Sequence, residues 1–266
     1  MLYSISSGKR QFINSLDKLR ETHRPILVCY LPLGDPAINF DLAALYAECG
    51  VDVFEVGIPC KEPFMDGETI CRSMQRVMLA KVSQHQIGRV IIDLKRSYAH
   101  IGIVVMGYGN MEVSQLVIDG ISGFDAILKI AGPERCPALE MRDSSSRAAV
   151  DDICFVPCDM SAEAIVRACD ASGYVMLQAA QGKTGMRDSI DESNCDKIAA
   201  LKQAGVSIPI VLGFGISTAA QARAAIAMGA DGVVIGSACV LQAERGEAAL
   251  RNFLLTVRQG IDAVER

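Results

Sequence analysis

The spacing that would mark a metal or disulfide framework is missing from this sequence. It has ten cysteines but no C-x-x-C; the tightest pair is Cys154 and Cys158 in "CFVPC". The three histidines, His23, His85 and His100, are scattered among polar neighbours, so no zinc site assembles from spacing. Cys29, Cys71, Cys154 and Cys239 lie in apolar segments, where a reduced thiol packs as a small hydrophobe. No apolar run reaches the length of a membrane span, and "MLYSISSGKRQF" has no apolar signal-peptide centre. Excess positive charge is absent too: the formal net charge is −5, which argues against nucleic acid or an anionic membrane surface as partner. These absences imply a cytoplasmic protein with no bound metal.

What is present is alternation. Eight short apolar runs, at 25–34, 51–59, 101–109, 124–132, 152–158, 173–180, 208–215 and 231–238, suit parallel strands covered on both faces. Helical patterns lie between them: "NFDLAALYAEC", "TICRSMQRVMLAKV", "MEVSQLVIDGI", "AEAIVRACDAS", "DKIAALKQAG" and "AAQARAAIAMG". Gly50, Gly205 and Gly229 stand where helices should stop. A leading helix, "KRQFINSLDKLRET", and a trailing one, "EAALRNFLLTVRQGIDAV", flank the repeat, and 133–150 is its weakest stretch. Half of the 266 residues are hydrophobic, ample for one large α/β core. The expectation is a single (β/α)8 TIM barrel domain over 1–266 with an extra N-terminal helix. A doubly wound open sheet shares the alternation, but "LPLGDPAINF" has one glycine where a nucleotide-binding turn needs several.

In such a barrel the chemistry sits at the C-terminal ends of the strands. "VFEVGIPCKEPFMDGETI" (53–70) places Glu55 inside an apolar strand and Asp66 in the loop beyond it. Val53, Glu55 and Gly57 share one face. If that face points inward, burial raises the pKa of Glu55, as a general acid near neutral pH requires. Strand position alone is equally consistent with a structural carboxylate paired to a cation. Asp66, taken alone, is an ordinary turn aspartate; its place directly after the Glu55 strand makes it a pocket candidate.

The last strands carry a second signal. "VLGFGIS" (211–217) and "VVIGSACV" (233–240) end with Gly213, Gly215, Gly236 and Ser237, where barrels commonly hold phosphate. "GKTG" (182–185) is placed to close the cradle from strand six and is too short for a Walker A loop. Asp35 and Pro36 end strand one, as caps for the next helix, while Lys183 and Arg187 are either aids to phosphate binding or, as exposed loop charges usually are, simply solvated. Lys129, in "AILKIAG", offers a rival: a Schiff base formed on a desolvated strand lysine, or else a side chain that simply points outward.

The pieces "LGDP" (33–36), "EVGIP" (55–59), "EPFMDG" (62–67), "VMGYGN" (105–110), "LGFGIS" and "IGSA" resemble, in order, the tryptophan synthase alpha subunit family over roughly residues 10–260. The resemblance implies a (β/α)8 enzyme that cleaves indole-3-glycerol phosphate to indole and glyceraldehyde 3-phosphate. It implies no cofactor and a beta-subunit partner. By motif, Glu55 matches the catalytic glutamate, Asp66 the indole-binding aspartate, and Gly185, Gly213, Gly236 and Ser237 the phosphate site. Tyr108 and Asn110 become pocket candidates on the same ground. The chain departs from the family at Lys61-Glu62-Pro63, at Gly67-Glu68 and at Met176, where the family has a tyrosine near the substrate. It departs again at Ala179-Ala180-Gln181-Gly182 and at Ala131. These departures leave room for a different phosphorylated substrate, or for a non-catalytic partner that binds phosphate ligands.

Overall fold

The computed structural model describes residues 15–22, 24–108, 123–130 and 150–265. Eight parallel strands close into a barrel in chain order: β1 Ile26–Pro32, β2 Val53–Gly57, β3 Gly102–Tyr108, β4 Ala126–Ile130, β5 Asp151–Val156, β6 Val175–Gln178, β7 Ile210–Gly213 and β8 Gly232–Ile235. β1 and β8 pair in parallel, with Val28 opposite Val234, so no sheet edge remains. Each strand lies within an apolar run named above except β5, which starts one residue earlier, at Asp151. The proposed helix at 111–121, the stretch 133–149, and His23, Asn110 and Ala131 fall outside the described residues.

The described helices are α1 Ser15–Glu21, α2 Leu42–Glu48, α3 Glu68–Leu79, α4 Gln84–Ser97, α5 Ala162–Asp170, α6 Asn194–Gln203, α7 Ala219–Ala227, α8 Ser237–Glu244 and α9 Glu247–Asp262. The sequence patterns omit α4. Its "GRVIID" centre combines a glycine with a β-branched run, both poor helix formers, and hides a helix that a Ser83–Gln86 capping box starts cleanly. Gly50, Gly205 and Gly229 follow the caps of α2, α6 and α7 at φ of 76°, 103° and 96°, which only glycine adopts at little cost. Asp41, not Asp35, caps α2 by accepting the Ala44 N–H. Asp35 instead accepts from Arg76 and Ser73 of α3, tying the β1 end to that helix.

Two apolar layers build the core. Val28, Val53, Val104, Leu128 and Val234 fill the bore, while Leu27, Phe54, Ile103, Leu177 and Leu212 face the helical ring. This is the alternation of strands buried on both faces. Lys129 sits between the bore residues Leu128 and Ile130, so its side chain faces outward rather than into the cavity. That placement removes the Schiff-base reading of Lys129.

The floor of the barrel is sealed by paired polar groups. Asp52 accepts the Leu27 N–H at 2.9 Å, Asp125 the Ile103 N–H at 2.8 Å and Asp231 the Ile210 N–H at 2.9 Å. The Arg258 guanidinium of α9 bonds Asp52 at 2.9 Å and the Pro25 carbonyl at 2.8 Å. Lys95 Nζ lies 2.7 Å from both Asp125 oxygens and from Ser15 Oγ. Those bonds hold α1 beneath the bore, where Leu16 fills the space left by Gly102: a Cβ on Gly102 would come 2.6 Å from Leu16 Cδ2. Burying that leucine contributes about 2 kcal/mol.

Candidate active site

Glu55 occupies the inward face of β2, opposite Tyr30 of β1 and Val104 of β3. It is 3% exposed, and its Oε1 has no hydrogen-bond partner among the described residues. Burial in the apolar bore, followed by the nearby charge of Asp66, pushes its pKa up to about 8. At neutral pH this side chain is therefore mostly a carboxylic acid, a proton donor held in a dry place.

Asp66 is buried in the loop after β2 and fully engaged. Tyr108 Oη donates to Oδ2 at 2.7 Å and Thr184 Oγ1 donates to Oδ1 at 3.0 Å. Burial raises its pKa, while the two hydroxyls and then Lys183 pull it down. The pair ionises at Asp66 first, because Asp66's charge is one reason Glu55 holds its proton. Two carboxyls in one cavity are thus driven into different protonation states.

Thr184 joins two loops. Its N–H donates to the Met65 carbonyl at 2.9 Å, and its Oγ1 accepts the Gly67 N–H at 2.9 Å while donating to Asp66. Gly67 has to be glycine for this contact: a Cβ there would lie 2.1 Å from the Thr184 carbonyl oxygen. The loop after β6 is stitched over the loop after β2. Thr184 was visible in "GKTG", but only as part of a glycine loop, because its partner lies 118 residues away.

The opposite wall is built by glycines and a helix start. Gly236 is the N-cap of α8 and Ser237 its first residue, with Oγ buried and unpartnered. Orphan N–H groups and the positive end of the helix dipole suit this position to an anion. Gly185, at φ 153°, faces open space where a Cβ would meet nothing within 4 Å. Gly213 is displaced from its expected role: β7 turns it into the bore, where a Cβ would come 2.9 Å from Met176 Cε, and it does not line the cavity. Gly215 lines it instead, at φ 85°, after Phe214 at φ 72°. The two left-handed residues bring the β7 loop against Met186 of the β6 loop.

Glu55, Asp66, Tyr108, Met176 and the Gly185, Gly236 and Ser237 group thus surround one cavity, with about 560 Å³ of empty space counting its open mouth. Arg187 does not reach toward it; its guanidinium donates to the carbonyls of Gln181 and Lys183 and braces the β6 loop. Among the described residues no group of three or more His, Cys, Asp or Glu side chains is placed to hold a metal ion.

A closed parallel barrel with a buried acid pair at its strand ends, facing a helix N-terminus across one cavity, defines a (β/α)8-barrel enzyme class. The family model described as tryptophan synthase alpha chain matches residues 16–262, and the chain belongs to that family. The tryptophan synthase alpha chain of Geobacter sulfurreducens is 33% identical over 260 residues, covering 92% of this chain and 96% of the relative. That of Burkholderia pseudomallei is 33% identical over 273 residues, covering 95% and 97%. Among solved structures, Mycobacterium tuberculosis tryptophan synthase superposes with a TM-score of 0.75 at 27% identity, covering 94% of this chain and 97% of that one. The alpha subunit of Legionella pneumophila, at 23% identity and a TM-score of 0.74 over 95% and 100%, shares the fold.

Proposed function

We propose that this chain is a carbon–carbon lyase that cleaves indole-3-glycerol phosphate to indole and glyceraldehyde 3-phosphate. The observation that carries the reading is the unpartnered, protonated Glu55 inside the cavity of a member of this family. Glu55 delivers its proton to ring carbon C3, which places positive charge on the ring nitrogen. Asp66, ionised and braced by Tyr108 and Thr184, accepts the ring N–H and stabilises that charge. A carboxylate or water takes the proton of the chain hydroxyl next to the ring. The carbon–carbon bond then breaks, its electron pair returns to the ring, and the aldehyde leaves. Gly185, Gly215, Gly236 and the Ser237 hydroxyl grip the phosphate, with Met176 as an apolar wall. The residues do this acid–base work without help from a cofactor.

The partner of this reading is a tryptophan synthase beta subunit. Phe64, which packs edge-on against Tyr108 at 5.0 Å, and Met186, 64% exposed, present apolar groups on the two loops around the mouth. A cytoplasmic location accords with a biosynthetic role, and no described helix is long and apolar enough to cross a membrane. The test is indole release from indole-3-glycerol phosphate by the purified chain, with and without a beta subunit. Turnover by wild type that survives Glu55→Gln unchanged removes Glu55 as proton donor. Phosphate-ligand binding without turnover in either condition makes the chain a binding partner instead.

A further inference from the structure

Tyr30 lines the same cavity and has no part in the roles above. It stands on β1 directly opposite Glu55 and is 3% exposed. Its ring spans the cavity wall lengthwise. At one end Tyr30 Cβ lies 3.7 Å from where a Gly236 side chain would begin, beside the anion position. At the other, the hydroxyl rests over Gly57, where a Cβ would come 2.2 Å from Oη, 2.3 Å from Cε2 and 2.5 Å from Cζ. The phenol is therefore seated in a notch that exists only because residue 57 is glycine.

The hydroxyl so placed makes no hydrogen bond to the protein among the described residues, and it is not one of the sealed, unpartnered polar atoms. Tyr174, lower in the bore, is the contrast: its hydroxyl is sealed and unpartnered and does not line the cavity. Burial, then the charges of Asp66 and Glu55, pushes the Tyr30 pKa up, so the group stays protonated and can both donate and accept. A ligand that fills the cavity must satisfy this hydroxyl or leave it unpaired, and a buried unpaired group is costly.

We propose that Tyr30 is a substrate-contacting specificity residue whose hydroxyl hydrogen-bonds a chain hydroxyl of the phosphorylated substrate, between the ring end at Asp66 and the phosphate end at Gly236. The inference rests on the lyase reading of the cavity and adds a requirement to it: the linker between ring and phosphate must itself be polar.

The experiment compares wild type with Tyr30→Phe on two ligands. One is indole-3-glycerol phosphate. The other is indole-3-propanol phosphate, which keeps the ring and the phosphate but lacks both chain hydroxyls. Tyr30→Phe should lower kcat/KM for the substrate about tenfold, the loss of one hydrogen bond. Its inhibition constant for the propanol analogue should stay within about twofold of wild type, or improve. Because the hydroxyl has no hydrogen-bond partner among the described residues, the unfolding midpoint should be unchanged or higher. Equal kcat/KM in the two proteins overturns the inference while leaving the lyase reading intact. So does an equal weakening toward both ligands, or a clear fall in the unfolding midpoint, since either marks a packing role. A wild type that neither turns over the substrate nor binds the analogue overturns the lyase reading, and this inference with it.

Discussion

At the lower rim of the barrel, Asp52, Asp125 and Asp231 each accept a strand N–H, and Arg258 and Lys95 add charged partners. At the upper rim, Glu55 Oε1 and Ser237 Oγ are just as buried and have no hydrogen-bond partner among the described residues. Leaving a buried polar group unpaired costs about 1–3 kcal/mol, and a folding-only criterion would eliminate it. The lower rim spends its polar groups on holding strands in register, whereas the upper rim leaves Glu55 Oε1 and Ser237 Oγ open, as the proposed substrate site requires. Burial by itself therefore does not distinguish Glu55 from the structural acids of the floor; its missing partner does, whereas Asp66 is held by Tyr108 and Thr184 and is marked by its place in the cavity instead.

The sharpest way to break this contrast is Glu55→Gln. It should lower kcat for indole release by about 10²–10⁴, the range for loss of a general acid, with little change in the affinity for substrate. Near-normal turnover would return Glu55 to the structural acids. The mirror experiment at the floor is Lys95→Met, which removes the ammonium partner of the buried Asp125 and leaves its backbone donors. Urea unfolding should register a loss of about 3–5 kcal/mol, while kcat/KM per folded molecule stays at the wild-type value. A catalytic defect there would blur the two rims.

The third prediction concerns pH. The folded pKa of Glu55 is about 8 against an ordinary 4.5, so between these values the folded chain keeps a proton that the unfolded chain releases. Stability from this group is fully present below 4.5 and declines as pH rises toward 8. Glu55→Gln should therefore be more stable than wild type by roughly 2–3 kcal/mol at neutral pH, a difference that vanishes in mild acid. Wild-type activity should likewise fall as pH rises through about 8, where the donor loses its proton. A variant whose advantage did not depend on pH would show that Glu55 is not buried as an acid. The smallest effect belongs to Thr184→Ala, about 1 kcal/mol or five- to tenfold in kcat/KM, through weaker bracing of Asp66 and of the lid.

The contrast also explains what could be read without coordinates. The strands are legible because parallel strands covered on both faces are apolar nearly throughout. Glu55 stands out as an acid inside one of them, and the order of short motifs carries the family. Loop geometry is another matter. Gly213 and Gly215 look equivalent in "LGFGIS", yet the strand ends between them, and only the residue after the left-handed Phe214 reaches the cavity. Asp35 looks like a helix cap until Arg76, 41 residues on, claims its carboxylate. Tyr30 reads as one more apolar strand residue because the notch that seats it is an absence, the missing side chain of Gly57. In each case the deciding partner is distant in the chain or is empty space, and neither leaves a local pattern.

The stitch at Thr184 has a consequence for turnover. Met65, Asp66 and Gly67 are all bonded to this one residue, so the roof over the cavity yields as a unit or not at all. Loops that must part for a ligand to enter or leave can pace turnover, and here the two loops would have to part together. Thickening the solvent with sucrose should then slow the native enzyme measurably, and should slow Thr184→Ala less.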